Sequence, residues 1–222
     1  MILGCGRIAG GMNHALSTHG GAYQARGGVS IVACIDADQE RRHSFSEAYR
    51  CEAEKDLHTA IEKHQPDIIS VCTPDITHFS ITEQIFQAKH RPKVVFLEKP
   101  ACRTQEELDH LIGLTMQVEV SIVVNHSRRF DQHHQQLRDR ISAGEFGDLR
   151  SAYAAYYSGW QHNGVHIIDT LSYLFHDSII VDMVTNAWES PYEGDPTMEL
   201  LACFKEQNAK INLTGFVESD YQ

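Results

Sequence analysis

Short apolar runs separated by helix-forming segments recur throughout residues 1–124, and this alternation constrains the fold more than any other feature. The runs occupy 1–3, 29–35, 67–72, 94–97 and 118–124. Apolar runs without polar alternation are typical of parallel strands that are buried on both faces. Between them lie helix signals, such as the capping box at 104–107 and the apolar spacing that follows it. The alternation predicts a doubly wound parallel α/β sheet.

A glycine-rich turn follows the first run. The letters G-C-G-R-I-A at positions 4–9 form a G-x-G-x-x-A pattern, in which Gly4 permits a tight turn and Gly6 lets the backbone approach a pyrophosphate. Met12 and Leu16 fall at helical spacing after Ile8. The stretch therefore predicts a dinucleotide-binding turn that opens directly into an amphipathic helix.

The second run, 29–35, ends in Asp36. A carboxylate at this point accepts hydrogen bonds from the adenosine ribose and repels a 2′-phosphate, which favours NAD over NADP. The alternative is a helix N-cap or a turn residue, and Asp38 competes for the role of cap.

Polar residues also follow two later runs. The run 94–97 leads into Glu98, Lys99 and Pro100, and the run 67–72 leads into Thr73-Pro74 with His78 nearby. Ligands of open α/β sheets bind just beyond the carboxyl ends of the strands, so chemistry is expected there. A solvated ion pair at a strand end is the alternative for Glu98 and Lys99.

The pattern of strands and helices changes after position 124, which predicts two domains: a dinucleotide-binding domain over 1–124 and a second domain over 125–222. A polar helix over 135–141 is followed by predicted strands at 149–157, 179–184, 199–204 and 209–216. Their turns, including 205–208, are typical of hairpins. A helix followed by a mostly antiparallel sheet is expected in this domain.

A helix predicted to open at Trp160 carries His162, His166 and Asp169 on one face. Three interpretations compete. The set is compatible with a metal ion, although no defining zinc signature is present. A histidine satisfied in the core is the second interpretation. The third makes His166 an acid–base residue, since histidine titrates near neutrality.

Composition excludes some classes of protein. The formal net charge of −11 argues against nucleic-acid binding, which requires clustered Lys and Arg. No apolar run approaches the ~20 residues of a membrane span. The six cysteines include no Cys-x-x-Cys pair, which favours a reduced, cytoplasmic protein.

These motifs together resemble the Gfo/Idh/MocA family of nicotinamide-dependent oxidoreductases, the relatives of glucose–fructose oxidoreductase and inositol dehydrogenase. The resemblance rests on the stretches at 4–9, 72–78, 98–100, 128–130, 144–147 and 164–169. It implies a Rossmann domain over 1–124 and an α+β substrate and oligomerisation domain over 125–222, whose open, mostly antiparallel sheet often forms a homodimer or homotetramer. It also implies sugar, nucleotide-sugar or cyclitol substrates. Relatives usually continue further at the C-terminus, so the second domain is expected to be incomplete, and they commonly place an acid where this chain has His162.

The resemblance also implies residue roles. Lys99 and His166, with His162, would be catalytic, and Glu98 would support Lys99. Cofactor contacts are expected from Gly4, Gly6, Arg7, Ile8, Asp36, Thr73, Pro74, His78, Glu98 and Lys99. Substrate contacts are expected from Lys99, Arg129, Trp160, His162, His166 and Asp169. Alternatives are a non-catalytic NAD-binding regulator, a metal-dependent hydrolase that uses His162, His166 and Asp169, and an NAD-dependent glycosidic hydrolase.

Overall fold

The computed structural model describes residues 1–217. The chain divides into two compact units, the first spanning Met1–Asn125 and the second beginning at His126. The last five positions of the predicted second domain, 218–222, lie outside the described residues. The assignment of cofactor binding to 1–124 and of substrate binding to 125–222 stays a prediction.

The first unit is built on a parallel sheet. Its strands are β1 (Ile2–Leu3), β2 (Ala33–Ile35), β3 (Glu52–Glu54), β4 (Ile68–Val71), β5 (Val94–Leu97) and β6 (Ser121–Val124). Their order is β3-β2-β1-β4-β5-β6, and every neighbouring pair is parallel. Ile69, Val71, Val95 and Leu97 are fully buried, as expected for strands covered on both faces. The predicted doubly wound sheet is confirmed.

Five helices of this unit connect the strands. They are α1 (His19–Ala25), α2 (Gln39–Tyr49), α3 (Leu57–His64), α4 (His78–Gln87) and α5 (Gln105–Thr115). The Thr104 side chain accepts the backbone N–H of Glu107 at 3.2 Å, so the predicted cap of α5 is confirmed. Across residues 1–217, no helix is both long and apolar enough to cross a bilayer.

The prediction that a helix follows the glycine turn directly is wrong. A short π-helical turn, Arg7–Gly11, gives way to extended backbone at Met12, and α1 begins only at His19. Two adjacent glycines, at 10 and 11, weaken a helix at this point. Thr18 instead caps α1 by accepting the N–H of Gly21 at 3.1 Å. Met12 and Leu16 are consequently exposed instead of packed.

Three strands differ from expectation. The predicted strands 29–35 and 118–124 shorten to Ala33–Ile35 and Ser121–Val124, and β3 was not predicted. Within the described sheet β3 pairs with β2 alone, and it begins with exposed Glu52 and ends with part-buried Glu54, so it lacks the apolar run that marks a buried strand.

The second unit contains a mixed sheet and two described α-helices. These elements are α6 (Gln132–Ser142), β7 (Ser151–Tyr157), α7 (Val165–Phe175), β8 (Ile179–Trp188), β9 (Thr197–Phe204) and β10 (Lys210–Phe216). The strand order is β7-β10-β9-β8; β7 and β10 are parallel and the other two pairings are antiparallel. The predicted open, mostly antiparallel sheet is confirmed over these residues. Its buried side chains, including Leu200, Phe204 and Ile211, pack with Ile167 and Leu171 of α7.

The helix predicted to open at Trp160 is formed by two different segments. Trp160–Gly164 is a π-helical turn, and the α-helix begins at Val165. The predicted opening at Trp160 is therefore confirmed, but His162 lies in a π-helical turn and His166 in the α-helix. That the two histidines and Asp169 share one face stays a prediction. The turn is held by a carboxylate from elsewhere in the unit, described below.

Candidate cofactor and substrate site

The glycine turn leaves open space beside its backbone. Gly4 has φ of +82°, and a Cβ there would lie 2.7 Å from the backbone of Cys72, so only glycine fits. At Gly6 a Cβ would meet nothing within 4 Å. Ala9 is fully buried where the motif requires close packing, whereas Arg7 is exposed. The turn thus has the open backbone approach that a pyrophosphate requires.

Asp36 lies beside this turn at the end of β2. Its Oδ2 accepts the N–H of Cys5 at 2.7 Å, and its Oδ1 accepts the N–H of Asp38 at 2.8 Å and an Arg41 N–H at 3.2 Å. Burial alone would raise the pKa of Asp36, but the Cys5 and Arg41 donors hold it below its ordinary value. Asp36 is therefore ionised at neutral pH.

The helix-cap alternative for Asp36 is settled by its neighbour. Asp38 is the N-cap of α2, and its Oδ1 accepts the N–H groups of Glu40 and Arg41 at 2.9 and 3.0 Å. Asp36 does not cap that helix, but its Oδ1 closes a turn by accepting the N–H of Asp38, and its ribose role stays a prediction.

Glu98 is anchored at the end of β5 by two side chains. Its Oε1 accepts the Nε2–H of His19 at 2.8 Å and an amide N–H of Asn125 at 2.6 Å. The side chains of Glu98 and His19 are only 13% and 3% exposed. Burial would raise the pKa of Glu98, but the donors from His19 and Asn125 outweigh it and lower the pKa. Glu98 is thus an ionised support and not a proton donor at neutral pH.

Neither His19 nor Asn125 was among the predicted site residues. His19 lies 79 positions from Glu98, inside the segment whose helix was mispredicted, and no local pattern links the two. Asn125 follows β6 immediately, so its place at the carboxyl edge of the sheet is a signal that could have found it.

His78 connects two loops at this edge of the sheet. Its Nδ1 lies 2.7 Å from the carbonyl oxygen of Pro100, and its Nε2 lies 2.8 Å from that of Thr73. The residue is 1% exposed. The cofactor contact predicted for His78 is therefore corrected: the ring holds the Thr73-Pro74 loop to the loop that carries half-buried Lys99.

In the second unit, two predicted substrate residues pair with each other. The Nε and Nη2 atoms of Arg129 lie 2.8 and 2.7 Å from Oδ1 of Asp169. Asp169 is 9% exposed, whereas the Arg129 side chain is 44% exposed over the Tyr173 ring. Asp169 therefore positions the guanidinium, which remains the more accessible of the two.

His162 is held by Asp195, a residue that sequence reasoning missed. Its Nδ1 lies 2.8 Å from Oδ2 of Asp195, and its ring stacks on Tyr192 at 3.9 Å. Trp160 packs against Tyr156 in the core of this unit, and His166 lies half-buried in the first turn of α7. Asp195 follows His162 by 33 positions in a loop, which no spacing rule detects.

The metal interpretation finds no cluster at these positions. Among the described residues, the group whose ligand atoms converge is Glu52, Glu54 and His64. There Lys63 already lies 2.5 and 2.9 Å from the two carboxylates and balances their charge. Asp169 is hydrogen-bonded to Arg129 and His162 to Asp195, so these contacts do not favour the alternative of a shared metal ion.

Comparison with known proteins identifies the family. A profile described as an oxidoreductase family with an NAD-binding Rossmann fold, named for Gfo, Idh and MocA, matches residues 1–126, more than half of the chain. The chain belongs to the Gfo/Idh/MocA family. The resemblance inferred from the motifs is thereby confirmed, and the cofactor class of the family is NAD.

Individual Gfo/Idh/MocA relatives are distant and longer. Myo-inositol 2-dehydrogenase of Thermotoga maritima is 27% identical over 147 residues, 66% of this chain and 41% of the relative. UDP-N-acetylglucosamine 3-dehydrogenase of Acidithiobacillus ferrooxidans is 27% identical over 178 residues, 80% of this chain and 53% of the relative. The chain thus spans about two fifths to one half of these curated relatives.

A solved structure shares the fold. The WlbA dehydrogenase of Bordetella pertussis, crystallised with NADH and UDP-GlcNAcA, superposes with a TM-score of 0.83 at 18% identity. The match covers all of this chain and 70% of WlbA.

Proposed function

We propose that this chain is the cofactor-binding and part of the substrate-binding portion of an NAD-dependent oxidoreductase. The substrate would be a sugar, nucleotide sugar or cyclitol that reacts at a secondary carbinol. One observation carries the proposal: the glycine turn, ionised Asp36 and the Glu98–Lys99 pair follow parallel strands of one sheet at their carboxyl ends. Ligands of open α/β sheets bind along this edge.

The residues of the first unit fit NAD. The open backbone at Gly6 suits a pyrophosphate, with Arg7 and Ile8 next to it, and Thr73-Pro74 forms the loop after β4. Ionised Asp36 accepts ribose hydroxyls and repels a 2′-phosphate, so NAD is preferred over NADP. NAD, when bound, supplies the hydride chemistry.

The chain's own residues would handle the proton and the developing charge. Lys99 hydrogen-bonds the reacting oxygen and stabilises negative charge on it. His166 accepts the hydroxyl proton during oxidation and returns it during reduction. Glu98, fixed by His19 and Asn125, holds the backbone that carries Lys99.

Substrate recognition would fall to the second unit. The half-exposed guanidinium of Arg129, positioned by Asp169, is suited to hydroxyl or phosphate oxygens. His162 and His166 add imidazole groups, while Trp160 supports their backbone from the core. The named relatives act on myo-inositol and on a UDP-sugar, which supports a polyhydroxylated substrate class.

The test compares Lys99→Met with Lys93→Met. Lys93 precedes β5 at the opposite end of the strand, is 81% exposed and pairs with Asp67, so its loss should leave activity unchanged. Reduction of NAD is followed across myo-inositol, D-glucose and UDP-N-acetylglucosamine, and NAD binding is measured by calorimetry. Lys99→Met should lose turnover and keep NAD binding. Full activity in Lys99→Met would refute the role, and NAD binding without turnover in the wild type would favour the non-catalytic alternative.

Assembly and location complete the proposal. Ile180, Met183 and Val184 are about half exposed on β8, which is consistent with a homodimer or homotetramer formed through this sheet. Sedimentation equilibrium tests that assembly.

The six cysteines are free thiols, which fits the reducing cytoplasm.

A further inference from the structure

His162 occupies the position where the family commonly carries an acid. An acidic residue from another part of the chain, Asp195, nevertheless lies next to it. The side chain of Asp195 is 4% exposed, and its Oδ2 lies 2.8 Å from Nδ1 of His162. A carboxylate can only accept, so Nδ1–H of His162 donates and the neutral ring keeps its lone pair on Nε2. The contact sets the tautomer of His162.

The Asp195 carboxylate is itself held in place independently of the imidazole. It accepts the backbone N–H of Gln161 at 2.7 Å and that of His162 at 3.0 Å, and the Ser190 hydroxyl donates to the Asp195 carbonyl at 2.6 Å. Gly159 makes room for it: a Cβ there would lie 2.6 Å from Oδ2. The Asp195 carboxylate is therefore held in one position by the backbone, and from there it can orient the His162 ring.

Tyr192 fixes the plane of the ring. The two rings are stacked with centroids 3.9 Å apart and planes 6° apart. The His162 side chain nevertheless remains 47% exposed. The ring is thus constrained along one edge and on one face, while about half of the side chain is exposed.

We propose that Asp195 is a positioning residue for His162, and that the pair replaces the acid usual in the family. Because Asp195 fixes the tautomer, the pair would offer Nε2 of His162 as a hydrogen-bond acceptor where a carboxylate at position 162 would offer an oxygen. The inference rests on the proposed oxidoreductase function for its catalytic consequence, but the tautomer does not depend on it.

The test is the tautomer of His162 in the full chain labelled with ¹⁵N-histidine. Long-range ¹H–¹⁵N spectra, with His162→Asn for assignment, should show the Nδ1–H tautomer in the wild type. In Asp195→Asn the amide no longer dictates that state, and the Nε2–H tautomer should appear. With myo-inositol, D-glucose or UDP-N-acetylglucosamine, whichever is turned over, kcat of Asp195→Asn should fall roughly 100-fold. KM for NAD should change less than about twofold.

Asp177→Asn is the matched control. Asp177 is also buried and accepts the backbone N–H groups of Glu206 and Gln207. Asp177→Asn therefore shows what the removal of a buried carboxylate does when that carboxylate does not contact His162. It should alter neither the His162 tautomer nor kcat.

Two outcomes would overturn the inference: an Nε2–H tautomer in the wild type, or an unchanged tautomer and kcat in Asp195→Asn. If Asp195→Asn does not fold, the wild-type tautomer alone decides. If the wild type turns over none of the probes, the proposed function fails while the spectra still decide the role of Asp195.

Discussion

Removing the Glu98 carboxylate should destabilise the first unit strongly. Glu98→Ala leaves the Nε2–H of His19 and the amide of Asn125 without their acceptor. His19 is 3% exposed, so water cannot replace the lost hydrogen bond freely. The carboxylate is a central connection between α1, the end of β5 and the end of β6.

The size of the effect follows from this geometry. Leaving one buried donor without its acceptor costs about 1–3 kcal/mol, so the loss of the acceptor for both donors in Glu98→Ala should cost roughly 2–6 kcal/mol. Glu98→Gln keeps one acceptor oxygen for the two donors, so about 1.5–3 kcal/mol is expected, the value of one hydrogen bond to a charged group. Both effects are large against a total stability of about 5–15 kcal/mol.

The assay is urea unfolding followed by circular dichroism, with Glu83→Gln as the control. Glu83 pairs with His110 at 3.0 Å in the same unit, but this pair is 32% and 49% exposed. Its loss should change the free energy of unfolding by less than about 0.5 kcal/mol. Equal stabilities for Glu98→Ala and Glu83→Gln would refute the support role of Glu98.

Three further predictions concern the same unit. Asp36→Ser should weaken NAD binding about 10-fold and should lower the ratio of the affinity for NAD to the affinity for NADP, both measured by calorimetry. An unchanged affinity ratio would count against the ribose role. Gly4→Ala should lower the free energy of unfolding by about 2–4 kcal/mol, because the new Cβ would lie 2.7 Å from the Cys72 backbone at a residue with φ of +82°. The control Gly113→Ala, within α5, should raise the free energy of unfolding by up to about 1 kcal/mol. Because the folded pKa of Glu98 is lowered, its stabilisation is complete above the ordinary value of 4.5 and is lost as pH falls through the folded pKa. The stability gap between wild type and Glu98→Gln should therefore close in acid, and a pH-independent gap would contradict this.

Elements marked by uninterrupted apolar runs could be predicted from the sequence. The run 94–97 matches β5 because a strand covered on both faces needs apolar side chains at every position. β3 could not be found this way, since it is an exposed strand with acids at both ends. The segment after Gly6 was mispredicted because apolar spacing ignores the low helix propensity of Gly10 and Gly11.

The candidate site was predictable where local sequence determines position. Asp36 and Lys99 follow strands directly, so their place at one edge of the sheet follows from topology. Two pairs could not be predicted in this way, because they join residues far apart in the sequence. His19 of α1, a helix that begins later than predicted, contacts Glu98, and Asp195 in a loop contacts His162. Residue spacing carries no information about such pairs. The helix predicted to open at Trp160 is present, but apolar spacing could not show that its first turn, which carries His162, is π-helical.

Transfer of deuterium tests the central claim most directly. The wild-type chain is incubated with NAD and with myo-inositol or glucose deuterated at the ring carbons, and the NADH is analysed by mass spectrometry. Hydride transfer from a carbinol carbon predicts NADH that carries one deuterium from the substrate, absent with Lys99→Met and retained with Lys93→Met. NADH without deuterium, or the same labelled product from Lys99→Met, would contradict the account.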